Sequence, residues 1–273
     1  MSWTITFDGN ALDESIGASI DKVRDTPVTK IKETGLLSDG SAIEQYSKRG
    51  RRITLSGTVI GTSTTQLDTR VSNIVESFSN PSGGVLSLSA GREIYAYPKL
   101  GSIELVKGAS NLALTFSVEL YTESPYWRST TVTTEDIHLA TLSANSTTAT
   151  VAYAGTAPVR PVIQIKQHAS AAAAVRDPLV LSIGNISLDS PEYIKITNAA
   201  LGNLADIIVL DGTDESVYLK NDTSSSTKPP RRIDGAFFRL QKGDNTIFLD
   251  AHTTGGHITA SLIYRETFYS SGF

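Results

Sequence analysis

Between Leu112 and Tyr121 apolar and polar residues alternate without a break. Leu112, Leu114, Phe116, Val118 and Leu120 fall on one side, and Ala113, Thr115, Ser117, Glu119 and Tyr121 on the other. A period of two is the mark of a strand with one buried face, so a core must lie against it. The pattern returns in Arg52 to Gly61, where Ile53, Leu55, Gly57 and Val59 share a face and Gly57 marks a close approach of two backbones. Trp3, Ile5 and Phe7 alternate with Ser2, Thr4 and Thr6, which predicts an edge or first strand. More strands are expected at Val85 to Ser89, Glu93 to Tyr97 and Ser102 to Val106. Asp8 to Ser41 is rich in Gly, Asp, Ser and Thr and broken by Pro27, which predicts loops with one or two short strands.

A single segment has helical periodicity. Leu67, Val71, Ile74, Val75 and Phe78 form one apolar stripe, predicting a helix from about 65 to 78 that packs on a sheet. Thr65 and Asp68 have the spacing of a capping pair, and Asn80-Pro81-Ser82-Gly83-Gly84 supplies the stop.

The second half reads as almost pure β. Strands are expected at Val159 to Lys166, Leu179 to Ile183, Tyr193 to Thr197, Asp206 to Leu210, Ser216 to Lys220, Thr246 to Asp250 and Ile258 to Phe268. Asp211-Gly212 suggests a hairpin, and Gly243-Asp244-Asn245 precedes a further strand. Short strands at this spacing, with no helical pattern between them, mean a sandwich or closed barrel. Ala171 to Ala174 and Ser224 to Arg232 read as loops. A length of 273 residues favours two domains. We expect them at 1–130 and 151–273, with the Thr/Ser-rich segment 131–150 as a connector or an exposed, Thr-rich strand pair.

Reactive chemistry is hard to find. Cysteine is absent, which excludes thiolate metal sites and cysteine nucleophiles and leaves burial and assembly to supply stability. None of the 4 histidines has a second ligand at the helical spacing of zinc hydrolases. His252 and His257 flank a turn, with Asp250 nearby, but solvated imidazoles are the commoner arrangement. No nucleophile elbow, phosphate loop or dinucleotide fingerprint is present. The carboxylate pairs Glu135-Asp136 and Asp214-Glu215 lie in turn-like segments as solvated charge. The reading is a non-enzyme without metal or cofactor. Met1 to Asp8 lacks the basic and apolar regions of a signal peptide, and no stretch approaches a membrane span.

The net charge of -4 argues against a protein that coats nucleic acid through its overall field. The sharpest local feature is Lys48-Arg49-Gly50-Arg51-Arg52, four cations that repel one another unless hydration or a partner compensates. Besides a solvated loop, they fit a surface facing an acidic neighbouring subunit, or phosphates in a channel. Arg231 and Arg232 are a weaker case. Tyr126 and Trp127, after Pro125, are expected to have a core or interdomain role, anchoring one domain on the other, with a sugar-stacking platform as the alternative.

The order of elements resembles the distal tail protein family of long-tailed phages. The resemblance rests on Arg52 to Gly61 followed by the helix with Leu67, Arg70 and Ile74, on Ser124 to Trp127, and on Pro158 to Ile165. It extends through Phe237 to Ile247 and Ile263 to Phe268. It implies a mainly β chain, with an N-terminal β-barrel-like domain carrying one α-helix and a C-terminal galectin-like β-sandwich. It implies further a structural hub of the virion tail tip, assembled in the host cytoplasm, in which six copies ring a DNA channel. The expected partners are the tail tube protein, tape-measure protein, tail-associated tip protein and receptor-binding proteins. Lys48, Arg49, Arg51 and Arg52 are then candidates for the ring interface or lumen. The alternative is a carbohydrate-binding module that contacts the host surface through the C-terminal sandwich and exposed aromatics.

Overall fold

The structure, a computed structural model, describes residues 5–12, 18–35, 41–88, 91–99, 101, 103–107, 110–139, 146–167, 180–196, 206–221, 224–227, 233–252 and 258–271. Within 29–49 and at a few strand ends it describes the backbone only. The chain divides into two compact units, Met1–Thr130 with Phe268–Phe273, and Thr131–Thr267.

The first unit opens with β1 (Ile5–Phe7), β2 (Asn10–Ala11), β3 (Ala18–Gly35) and β4 (Ser41–Ile60), followed by α1 (Thr64–Ser77). Then come β5 (Gly84–Leu88), β6 (Arg92–Pro98), β7 (Glu104–Lys107), β8 (Ala113–Thr122) and β9 (Trp127–Ser129). They form one antiparallel sheet in the order β2-β1-β5-β6-β8-β4-β3, with β7 beside β8 and β9 beside β6. Phe7, Leu55, Leu86, Ile94 and Val118, from five strands, share one cluster with Leu67, Ile74 and Phe78 of the helix segment. A single sheet that sends side chains from so many strands into one cluster has to curl about it, which produces the barrel-like form. Phe78 stacks on Phe7 with centroids 5.0 Å apart. Each side chain so buried contributes about 1.5–3 kcal/mol.

The helix begins one turn-position earlier than its expected capping pair. Ser63 is the N-cap and accepts from the Gln66 amide at 3.2 Å, while the Gln66 side chain accepts from the Thr62 amide at 2.6 Å. Glutamine is long enough to reach back over the first turn, which Asp68 is not. At the other end Asn80 accepts from the Ser82 amide at 3.0 Å, the local bond that makes Asn a helix stop. Arg70 donates to the carbonyl of Ile60, tying the helix to the end of β4.

The loops expected between Asp8 and Ser41 are largely absent from the described residues, because Ala18–Gly35 is one long strand paired with β4. Pairing overrides the polar composition, and Pro27 is accommodated at a register shift between Pro27 and Thr29. Gly57 meets its expectation. A Cβ there would lie 2.2 Å from the Ser19 carbonyl and 2.9 Å from the Phe116 ring.

The second unit begins with β10 (Thr133–Leu139), β11 (Ser146–Tyr153), β12 (Val162–Gln167), β13 (Val180–Asn185) and β14 (Glu192–Ile196). It continues through β15 (Asp206–Asp211), β16 (Ser216–Asn221), β17 (Ser224–Thr227), β18 (Ile233–Gly235), β19 (Gly243–His252) and β20 (Ile258–Tyr264). A 6-stranded sheet, β10-β20-β12-β15-β16-β17, faces a 5-stranded one, β11-β19-β13-β14-β18. Ile163, Ile165, Leu210 and Leu262 of the first meet Leu181, Ile183, Ile194 and Leu249 of the second, giving a β-sandwich core. Of the two readings of 131–150 the strand pair is the one that forms: it supplies β10 and β11, one strand to each sheet, their Thr-rich outer faces alternating with Ile137, Ala149 and Val151 on the core. Asp211-Gly212 does turn β15 into β16.

Two buried asparagines hold the mouth of the sandwich. Asn245, 1% exposed, accepts from the Gln241 amide at 2.9 Å and donates to the Gln241 carbonyl at 2.8 Å. Asn185 donates to Asn245 Oδ1 at 2.9 Å and to the Arg239 carbonyl at 2.9 Å. Two residues along β11 from the one opposite Asn245, the Tyr153 hydroxyl donates to the Ala157 carbonyl at 2.7 Å and accepts from the Thr267 amide at 2.8 Å. Burial pushes the Tyr153 phenol up from its usual pKa, so it stays a neutral donor. The last strand, β21 (Thr267–Phe268), pairs with β9, and Phe268 is counted in the first unit.

Gly57→Ala is expected to cost about 1–3 kcal/mol, since a backbone carbonyl cannot move aside as a side-chain end can. The urea midpoint should fall accordingly, and an unchanged midpoint would contradict the packing described.

Candidate assembly surface

β3 and β4 pair continuously from Ala18 opposite Val59 out to Gly35 opposite Ser41. β8 joins β4 only over Arg51–Ile60. Among the described residues, therefore, 27–35 and 41–50 form a ribbon of two strands with no third beside them. At ~3.3 Å per residue such an arm reaches roughly 30 Å from the sheet. A two-stranded ribbon is marginal by itself in water, and its outer edges offer rows of unpaired amides and carbonyls.

The same unit has an open edge elsewhere. β7 pairs with β8 from Glu104 opposite Ser117 to Lys107 opposite Leu114, and no described strand covers its other side. Leu105 is 42% exposed and Val106 60%. A cleft of about 260 Å³ runs beside it, lined by Asp21, Gly57, Glu104, Val106 and Phe116 among others.

The arm leaves the sheet at a built joint. Gly50 has φ +68°, and a Cβ on it would lie 1.8 Å from the carbonyl oxygen of Thr122, so only glycine fits where β4 passes the end of β8. Arg51, next in the chain, turns inward and is 4% exposed. Its Nε donates to Asp25 Oδ1 at 2.5 Å and its Nη1 to the Pro125 carbonyl at 2.7 Å. The other oxygen of Asp25 accepts from Trp127 Nε1 at 2.9 Å. Each charged group thus has a partner and further hydrogen bonds, the condition under which a buried ion pair is tolerable. Together they tie both strands of the arm to the segment 125–127.

Arg52 points the other way and forms an ion pair with Glu119, which also takes Lys99 at 3.3 Å. Tyr121 donates to Glu119 Oε1 at 2.8 Å. Hydrogen bonds from Tyr121 and Arg52 hold the Glu119 carboxyl below the usual carboxylate range. The rest of this outer face is hydroxyl-rich: Thr54, Ser56 and Thr58 on β4 stand beside Thr115 and Ser117 on β8. Ser56 and Ser117 lie 3.2 Å apart, oxygen to oxygen.

The four cations singled out from the sequence therefore separate. Lys48 and Arg49 lie on the arm in β4, Lys48 opposite Thr29, with side chains outside the described residues. Arg51 corrects from a surface cation to a buried one, because Asp25 neutralises it inside its own unit. Arg52 stays at the surface, paired with Glu119. Trp127 is fully buried in the core of the first unit, and Tyr126 meets Tyr269 edge-on at 5.5 Å within that unit. Both are therefore placed as packing groups of the first unit. Arg92 lies 3.9 Å over the Phe268 ring and donates to the Ser270 carbonyl at 2.8 Å. His257, Arg231 and Arg232, along with Trp3 and the alanine run, lie outside the described residues. Among the described residues no three histidine or carboxylate groups converge on a metal-sized space, and no helix is long and apolar enough to cross a membrane.

Asp25, Gly50 and Glu119 went unread in the sequence as site residues. Glu119 had a signal, a charge on the polar side of an alternating strand opposite a basic one. Asp25 had none, since its partners lie 26 and 102 residues away.

A curled β unit with one helix and a two-stranded arm, and a β-sandwich, together make up the fold. Over 98% of its length this chain has the fold of the Dit protein of phage SPP1, a hub of the adsorption apparatus in phages infecting Gram-positive hosts: the TM-score is 0.70 at 14% identity, with all of that chain covered. Chains of the phage P2 baseplate in its activated conformation align more loosely. The calcium form gives a TM-score of 0.40 at 9% identity over 95% of this chain and 97% of that one. The strontium form gives 0.42 at 10% over 100% and 99%. No known family profile matches the sequence, and no curated protein does either.

Removing one partner of the buried pair, by Arg51→Met or Asp25→Asn, is expected to cost about 3–5 kcal/mol in chemical unfolding. Arg52→Ala, at an exposed pair, is expected to leave the unfolding midpoint nearly unchanged. Equal losses would refute the assignment of inner and outer cations. Tyr121→Phe should raise the Glu119 carboxyl toward its ordinary range in an NMR titration. In the unaltered protein the pairs with Arg52 and Lys99 should persist at neutral pH and fade as pH falls through the lowered value.

Proposed function

We propose that this chain is a structural hub of a phage tail tip, six copies of which close into a ring that joins the tail tube to the tip and lets DNA pass. The observation that carries the reading is the arm. It has two open edges and, among the described residues, no third strand, and the same unit exposes a further open edge at β7. A monomer leaves these edges unpaired, whereas head-to-tail pairing sets an arm edge of one copy against β7 of the next and closes when the rotation per copy divides a full turn. The fold shared with the SPP1 Dit protein supports the same assignment.

DNA passage sets a further condition on the wall of such a ring. Phosphates bind cations strongly by releasing counterions, so a bore lined with free Lys and Arg would grip its cargo. The face of β4 and β8 carrying Thr54, Ser56, Thr58, Thr115 and Ser117 suits a bore, since hydroxyls carry no charge, Arg52 and Lys99 beside them share the Glu119 carboxylate, and Thr58 donates to the Asp21 carboxylate. The ring works in the virion tail tip after assembly in the host cytoplasm, between tail tube and tape-measure protein on one side and the tail-associated tip and receptor-binding proteins on the other. No step in this role calls for catalysis.

Light scattering and negative-stain electron microscopy, with and without the tail tube protein, should reveal a discrete assembly of about six chains with a central hole. Replacing 29–49 by an Asn-Gly turn should yield a monomer whose circular dichroism still reports folded β structure. Solitary particles under every condition, or rings that persist without the arm, would overturn the reading.

A further inference from the structure

A cleft of about 420 Å³ opens in the first unit between α1 and the β1–β2 hairpin. Asn73, Glu76 and Ser77 line it from α1, at the three- and four-residue spacing that puts them on one stripe, and Asn80 lines it from just past the helix end. Asp8 and Asn10 line it from the hairpin. Asp8 (φ +50°) and Gly9 (φ +80°) make the hairpin turn with both residues left-handed, the tight turn that an Asp-Gly pair favours. The turn sits close on β5, since a Cβ at Gly84 would lie 2.7 Å from Asp8 Cβ.

The polar groups of this cleft lack partners of their own. Elsewhere in the unit Asp25, Glu93 and Glu119 are paired with Arg51, Arg128 and Arg52. Among the described residues, Asp8 and Glu76 have no cation within ion-pair reach, and the side-chain amides of Asn10 and Asn73 make no hydrogen bond. Two carboxylates that line one concave space repel each other, and a cation entering between them relieves both. The arm has the matching charge. Its strands 27–35 and 41–50 hold Lys30, Lys32, Lys48 and Arg49 against Glu33 and Glu44. Thr29 stands opposite Lys48, Lys30 opposite Ser47 and Lys32 opposite Gln45, so the four cations fall within roughly 13 Å of the ribbon's length, in the half nearer its root.

We propose that the cleft between α1 and the β1–β2 hairpin receives the basic half of the arm of a second copy. In the ring proposed above, on which this rests, one arm edge lies against β7, so the other edge and the four cations still need partners. The cleft supplies both kinds. Asp8 and Glu76 take the cationic heads, and the amides of Asn10 and Asn73, each both donor and acceptor, match the alternating N–H and C=O groups of a strand edge. Copies with a net charge of -4 repel one another as wholes, so a basic arm meeting an acidic cleft also sets the head-to-tail direction of approach.

The chain has no cysteine, so Asn73→Cys gives the full-length protein a single thiol at the cleft, with both carboxylates kept, for attachment of benzophenone maleimide. Copies carrying different nitrogen isotopes are mixed, with and without the tail tube protein, irradiated, imaged by electron microscopy and digested for mass spectrometry. Adducts on 27–35 or 41–50 that join the two isotopes are expected. Rings whose adducts lie elsewhere, within one chain or on the tail tube protein would overturn the cleft assignment and leave the ring standing. Absence of rings in both samples would remove the ring and this assignment with it. Glu76→Lys should raise the concentration at which half the chains assemble about tenfold, with the thermal midpoint of the monomer unchanged, and an unshifted concentration would count equally against the cleft.

Discussion

The ion pair between Arg51 and Asp25 sits where two strands stop being part of a sheet and become an arm. A ribbon leaving a folded body exerts leverage on its root, and a purely apolar root would let it swing, because dispersion has no preferred direction. Here the direction is fixed by bonds with angles. Asp25 uses one oxygen for Arg51 and the other for Trp127, and Arg51 has a second donor on the Pro125 carbonyl. Gly50 supplies the backbone turn that no other residue could make beside Thr122. The arm is thus aimed by its root.

Much of this fold lay open in the sequence where burial has a regular period. β8, the inner half of β4 and the apolar stripe of α1 were legible because each presents one wet and one dry face over several residues. The arm was not. Between 18 and 35 the polar residues outnumber the apolar ones, as expected of a ribbon with little core to face, and composition alone reads as loop. Segment 131–150 left two readings open for a related reason: β10 and β11 turn threonine outward on strands whose inner faces are thin. A strand becomes visible in sequence through the core it covers, so the surfaces kept for other molecules are the hardest to see.

Site residues followed the same division. The basic run was conspicuous, yet sequence order could not say that Arg51 faces inward and Arg52 outward, although this alternation is what strand geometry requires of neighbours. Asp25 is invisible without the fold. The Gly243-Asp244-Asn245 turn was seen for its strand, but its physical weight rests on Asn245, whose amide bridges the Gln241 carbonyl and Asn185 in a pocket that excludes water. Aromatic residues divided as well: Trp127 spends its ring on the core, while Tyr193 is 47% exposed.

The second unit is inserted into the first, since Phe268 and the residues after it return to the body that ends its main course at Thr130. Arg92, over the Phe268 ring and bonded to Ser270, receives them there. On the ribosome this segment emerges only after the whole sandwich has been made. Until then the body is an incomplete shell, and its last joint closes late.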